Sequence, residues 1–344
     1  MPPDRPTTDP DPTTERGDGP RARLFDADRT DRRLALEDAL GHRPGANQLL
    51  WIDSDRPLDA GVVSRLGERL KLGSASARVL TELGSRPEIA VHGKHLHLRV
   101  LGEPGEMSGR TGWIEILIAR NLIITLHDGP APFLDRLDER IKSDATVGKL
   151  TAASFLRSLL DAVVTTYFEA VDRIEDEVDE LDTRSLMARS DEDILPELVD
   201  VRRKIARLRR LLSDHREVYA ALADADVSEI ADPDDEGFGA VAARFEDAIH
   251  SVEDSRDLLL GSFDVFMSRL SQRTNDTMKI LALATVLLLP GSLIAGLLGM
   301  NVVVPLGKDD PSSFWLVVVG IAVLAALVLV IAWRSHWIRF GRTR

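Results

Sequence analysis

The sequence predicts an α+β membrane protein: an N-terminal cytoplasmic α/β domain, a long-helix stalk or funnel, and two C-terminal transmembrane helices. Three observations carry that prediction. Two apolar runs, Ile280 to Leu298 and Phe314 to Trp333, hold no ionisable side chain, and each is close to the roughly 20 residues a helix needs to cross a hydrocarbon core of about 30 Å. Residues 48–127 break into apolar runs of strand length. After Asp144 the apolar period becomes helical and stays so.

Taken in order, residues 1–33 are rich in Pro, Asp, Thr and Arg with no apolar core stretch, so they read as a disordered tail and not as a signal peptide. The α/β domain covers 34–144. Gln48 to Asp53, Ile89 to Val91, His95 to Leu101, Trp113 to Ala119 and Leu122 to His127 read as strands, with helical segments between the first two. Gly102 to Gly112 reads as a hairpin loop and Arg120-Asn121 as a tight turn.

Residues 145–279 form a long helical hairpin and a stalk helix, from helical stretches around 146–189, 191–224 and 238–299 separated by breakers such as Asp232-Pro233. The first stretch has an acidic face (Asp172, Glu175, Asp176, Asp179, Glu180) and the second a basic one (Arg202, Arg203, Arg207, Arg210) beside an apolar stripe of Val201, Ile205, Leu208 and Leu212. The expectation is an antiparallel, charge-matched hairpin. The third stretch has no proline between Asp234 and Leu289, so the stalk continues into the first span over about 90 Å. There follow the first span (280–298), an external loop (299–313), the second span (314–333) and a basic tail (334–344). Phe314, Trp315, Trp333 and Trp337 stand at interfacial positions.

Composition bounds the function. A net charge of -13 over 344 residues disfavours nucleic acid as a partner. The chain has no cysteine, which removes disulfides, thiolate zinc sites and cysteine nucleophiles. No phosphate-binding G-x-x-x-x-G-K-[ST] motif and no nucleophile-base constellation stand out, so the expectation is a non-enzyme without a cofactor. Arg269, Arg273 and Lys279 precede the first span, and Arg334, His336, Arg339, Arg342 and Arg344 follow the second. By the positive-inside rule both termini are cytoplasmic, in a plasma (inner) membrane.

Two helices cannot enclose a water-filled path, so transport through this chain requires oligomers in the bilayer. Asn275, Met278, Ala282, Thr285, Leu289, Ser292, Gly296 and Gly299 recur in steps of three and four and hold both hydroxyls of the first span. That stripe is the candidate pore lining; from Leu316 to Ala332 the second span is apolar throughout apart from Gly320 and suits the lipid-facing ring. The bland alternative is that Thr285 and Ser292 bond back to their own helix and the small residues permit close packing. Pro290 likewise need only kink the helix and free the carbonyl of Val286, which a pore water could then satisfy. Asn301 lies just beyond the apolar run, where a ring of amides would hydrogen-bond the water shell of a divalent cation; the other reading is a helix cap. His92, His95 and His97 invite a zinc assignment, but no carboxylate sits at ligand spacing in the sequence, and a polar strand face is the preferred reading.

Lys279 through Asn301, with Pro290, Ala295-Gly296 and Gly299-Met300-Asn301, resembles the pore helix of the CorA metal-ion transporter superfamily, and the resemblance runs over about residues 48–340. It implies a homopentamer, a cytoplasmic funnel of α/β domains and long helices, and divalent-cation transport, with Gly299, Met300 and Asn301 selecting the ion. Magnesium, zinc, cobalt and nickel are all open as cargo. Val302 to Leu306, without an acidic residue, looks closer to the zinc-transporting ZntB-like branch. The competing class is a membrane-anchored oligomeric scaffold that transports nothing.

Overall fold

The computed structural model describes residues 19–28, 30–92, 94–104, 112–129, 131–143, 151–187, 194–224, 237–299 and 311–334. The chain divides into two compact units, Met1–Leu260 and Gly261–Arg344, which are taken in turn.

The first unit is built on one seven-stranded sheet in the order β2-β1-β3-β7-β6-β5-β4: β1 (Arg21–Asp26), β2 (Arg32–Leu34), β3 (Gln48–Ser54), β4 (Glu88–His92), β5 (His95–Glu103), β6 (Gly112–Ala119) and β7 (Leu122–His127). β4 to β7 form an antiparallel meander, and the turn at Arg120-Asn121 joins β6 to β7 as expected. β3 and β7 run parallel. Every residue of β7 is buried, which is why Leu122, Ile123, Ile124 and Leu126 do not alternate with exposed polar residues and the two polar ones, Thr125 and His127, are buried as well.

The expected unstructured tail reaches Arg33, but β1 and the first two residues of β2 lie within it. β1 sits between β2 and β3, with Ala22, Leu24 and Phe25 buried. Its backbone pairs with β3 from Arg21↔Asp53 to Asp26↔Gln48, and Arg23 is paired with Asp138 of α4 (Pro132–Ser143). The sheet thus overrides a polar local composition. Of the expected Gly102 to Gly112 loop, residues 105–111 lie outside the described residues.

On one face of the sheet, α1 (Leu36–Gly41), α2 (Ala60–Leu70) and α3 (Ser74–Val79) enclose a core that includes Leu50, Ile52, Leu66, Leu117 and Ile124. On the other, Phe155 of α5 (Ala152–Met187) packs on Trp51 and Phe25, with ring centroids 5.2 and 5.9 Å apart.

α5 and α6 (Ile194–Ala223) form the expected antiparallel hairpin, and the stripe Val201, Ile205, Leu208 and Leu212 is buried. The charge matching takes a different form. The hairpin is clamped by Lys204 to Glu177 at 2.7 Å and Arg184 to Glu197 at 2.5 Å, while Arg202, Arg203, Arg207 and Arg210 face solvent, as do Asp172, Asp176, Asp179 and Glu180. The apolar stripe takes the inner face of α6, so arginines one position away on the helix wheel turn outward. Within this unit the start of α7 (Gly239–Gly299) completes the layer: Phe245 stacks on Tyr219 at 4.0 Å and meets Tyr167 edge-on at 6.1 Å. Ser255 donates to Glu175, and Arg244 is paired with Asp161.

Among the described residues the second unit consists of the remainder of α7 and α8 (Pro311–Arg334). α7 passes through Pro290 without ending and contains a stretch of mean hydropathy 2.3, long and apolar enough to cross a membrane; Trp315–Ile331 of α8 is a shorter apolar stretch.

Candidate functional site

α8 shields one face of α7. In α7 the partly covered residues of the apolar run are Leu283, Leu287, Pro290, Gly291 and Ile294; in α8 they are Val317, Ile321, Ala325 and Val328. A methyl group on Gly291 would lie 3.5 Å from Ile321 Cγ2, ordinary contact distance, so the glycine marks the close approach. At 100° per residue the stripe from Asn275 to Gly299 falls roughly 180° from this covered face. All eight of its residues are exposed. Asn275, Met278 and Ala282 line an open depression with Ser268, Ser271, Gln272 and Lys279.

Thr285 Oγ donates to its own helix at the Leu281 carbonyl, 2.9 Å away. The back-bonding reading therefore holds for its proton, and its lone pairs remain for an incoming donor. A methyl on Gly296 or Gly299 would meet nothing within 4 Å among the described residues, so packing against those residues requires neither glycine. Gly299 ends α7; Met300 and Asn301 lie outside the described residues.

The sheet holds a second polar constellation, on the α1–α3 face. His97 Nε2 lies 2.6 Å from Glu115 Oε2, both side chains being 1% exposed. Arg99 pairs with the other Glu115 oxygen and with Glu88, and Gly84 N–H donates to Glu115 at 2.9 Å. Burial pushes the Glu115 carboxyl up, but His97, the Gly84 amide and Arg99 together hold it below the usual value. The expectation that no carboxylate stands beside these histidines is thus corrected for His97. The partner is 18 residues away and becomes adjacent only through the β5–β6 register. His92 and His95 face each other across the β4–β5 ladder. Among the described residues no group of three or more His, Asp or Glu has metal-holding geometry, so the histidines and the acidic face of α5 do not assemble into such a centre.

Two more histidines went unmarked in the sequence. His215, fully buried, accepts Leu101 N–H at Nε2 (2.8 Å), bonds the Leu211 carbonyl through Nδ1 (2.6 Å) and stacks on Trp113 at 5.4 Å. Burial pushes its pKa down to about 4, against the Leu211 carbonyl and Asp214. His127 behaves oppositely: burial lowers it, but Asp53, by hydrogen bond and charge, leaves it raised. Helical position alone marks His215 as part of the α6 core stripe, seven residues from Leu208; nothing local marks its partners.

An α/β domain followed by long charged helices and two apolar helices defines a membrane protein of a distinct architectural class. The profile of the family described as "CorA-like Mg2+ transporter protein" matches residues 46–333; the chain belongs to that family. The cobalt/magnesium transport protein CorA of Methanocaldococcus jannaschii is 24% identical over 298 residues, 85% of this chain and 92% of the relative. Its complete structure superposes with a TM-score of 0.72 at 21% identity, covering 93% of this chain and 98% of that one. The cobalt/magnesium transport protein CorA of Thermotoga maritima is 26% identical over 232 residues; this match spans 65% of the chain and 64% of the relative. The cytoplasmic domain of ZntB from Vibrio parahaemolyticus shares the fold at a TM-score of 0.52 and 15% identity, over 75% of this chain and 99% of that one.

Proposed function

We propose that this protein conducts divalent cations across the plasma membrane through a homopentameric pore lined by the α7 stripe, with both termini in the cytoplasm. Magnesium and cobalt are the first candidate cargo, since the two CorA relatives are named for them; zinc is the alternative suggested by the apolar Val302 to Leu306 loop. The observation that carries the reading is the division of α7 into two opposite faces, one meeting α8 at Gly291 and one exposed stripe that holds both hydroxyls of the span. A helix meant only to anchor has no need of such a second face.

In this mechanism Asn301 rings the outer mouth and hydrogen-bonds the hydration shell, because hard divalent cations release water reluctantly. Gly299 and Gly296 leave room for the hydrated ion, and Met300 stands beside Asn301 in the same selecting motif. Thr285 and Ser292 offer oxygen lone pairs along the path, and Asn275, Met278 and Ala282 continue it inward. Leu289 is the bulkiest apolar residue facing the axis in the outer half of the span and forms a hydrophobic constriction. An inside-negative potential supplies about 4.6 kcal/mol per 100 mV for a divalent ion, so no nucleotide is needed.

The test is flux into proteoliposomes, comparing magnesium, cobalt, nickel and zinc at fixed potential. Asn301→Ala is expected to cut selective uptake about 100-fold with the oligomer intact by native mass spectrometry. Asn301→Gly keeps a helix-capping residue but no amide; full transport by that variant would sink the selectivity ring. Absence of flux for all four ions in the wild type would leave the scaffold.

A further inference from the structure

The outward-facing charges of the helical hairpin form two ridges of the same spacing and opposite sign. On α5 the acidic ridge is Asp172, Asp176 and Asp179; on α6 the basic ridge is Arg203, Arg207 and Arg210. Both step by four and then three residues, so each lies along one side of its helix and spans about 10 Å. All six are exposed, and none takes part in an ion pair among the described residues. Other charges of the hairpin are paired: Lys204 with Glu177, Arg209 with Glu253, Arg216 with Glu246. Arg173, Glu180, Arg202 and Glu217 are exposed and without an ion pair among the described residues too, so what marks the two ridges is their matching spacing and opposite sign.

A row of three like charges on one helix face repels itself by a few tenths of a kcal/mol per adjacent pair. In a chain of net charge -13 a concentrated basic row has one evident complement of the same length, the acidic row on the same molecule. α5 and α6 turn these rows outward, so they do not meet within one copy. Leu195 and Val199, exposed by 44% and 39%, extend the outer face of α6 toward its N-terminus. Arginine beside exposed apolar side chains is the composition of an interface, not of a purely solvated face.

We propose that the basic ridge of α6 docks on the acidic ridge of α5 of a neighbouring copy of this chain. The contact is head-to-tail, with different surfaces on the two partners, and such contacts close into rings when the rotation permits. It rests on the oligomeric reading above and specifies which surfaces meet outside the membrane. Exposed ion pairs contribute little singly, so the contact sets register and partner more than strength.

The absence of cysteine gives a clean test. Full-length chains carrying Asp176→Cys and tagged chains carrying Arg207→Cys are co-expressed, purified together, treated with a mild oxidant and separated by denaturing electrophoresis. A disulfide-linked tagged–untagged dimer is expected only from the mixture. Arg203→Glu with Arg210→Glu in the tagged chain should lower its yield at least tenfold. Adding Asp172→Arg with Asp179→Arg to the untagged chain should restore it. Native mass spectrometry of the same samples separates the two levels of failure. Intact oligomers without the mixed dimer overturn the contact and leave the oligomer standing, whereas monomers overturn both. A mixed dimer indifferent to charge reversal overturns the ionic pairing, and loss of the mixed dimer together with arginine-dependent binding to anionic lipid vesicles assigns the ridge to lipid instead.

Discussion

The two units treat their side chains in opposite ways. In the first, sheet polar groups find partners in the same chain: Trp51 donates to Thr125, Thr125 to Asp53, and His97 and Arg99 converge on Glu115. In the second, large apolar side chains such as Leu288 at 69% and Trp333 at 75% remain exposed. A surface of that size is not tolerated in water. The difference teaches that the first unit's fold is complete within one chain, while the second is completed by what surrounds it. For a membrane protein of this family, that is first of all lipid.

The comparison breaks most readily at Phe245, which is fully buried between Tyr219 and Tyr167. Phe245→Ala should cost about 3–5 kcal/mol, from lost burial and the cavity left behind. Leu288→Ala should cost less than about 0.5 kcal/mol within the chain. Thermal unfolding of the detergent-solubilised variants measures both, and equal losses would erase the contrast between the units.

The next largest effect is a pH dependence. His215 has a folded pKa of about 4 against 6.5 for the free side chain. The unfolded chain therefore binds the extra proton between those values, and stability present above pH 6.5 is lost as pH falls toward 4. The full loss is about 3 kcal/mol. His127 works in the other sense, its raised pKa adding stability at low pH that is lost as pH rises through the folded value. Denaturant midpoints between pH 4 and 7 for wild type and His215→Gln report the first contribution. A wild-type slope unchanged by the substitution would assign the acid sensitivity elsewhere.

The smallest effect is expected at Leu289. Leu289→Ser admits water to the constriction and should raise basal flux several-fold, roughly 1 kcal/mol of barrier, with stability near wild type. Unaltered flux would place the narrowest point on another residue.

Much of the fold was legible because its signals are local. β3 to β7 are apolar runs bounded by turns, and the stripe from Val201 to Leu212 announces the packed face of α6. β1 was missed because its Arg-Ala-Arg-Leu-Phe-Asp run looks polar until β3 pairs with it and Asp138 meets Arg23. The Glu115 cluster and the partners of His215 were invisible for the same reason: His215 meets Leu101 across 114 residues, a distance no periodicity reports. The α7 stripe could be read from the sequence as a spacing; that it lies opposite the face touching α8 required the structure.

The parallel pairing of β3 with β7 fixes a timetable for synthesis. Trp51 and Thr125 are 74 residues apart, so at 5–20 residues per second β3 leaves the ribosome roughly 4–15 s before its central partner exists. Until then β3 is paired only with β1, itself flanked by the three-residue β2, and the other edge of β3 is open and apolar. The later β4–β7 meander needs only sequence neighbours and closes first once made. The older half of the sheet is thus the last to be secured, and the nascent chain is most vulnerable to proteases and to pairing with other chains just before Leu122 emerges. Ribosome-stalled chains ending on either side of β7 should differ sharply in protease resistance at β3.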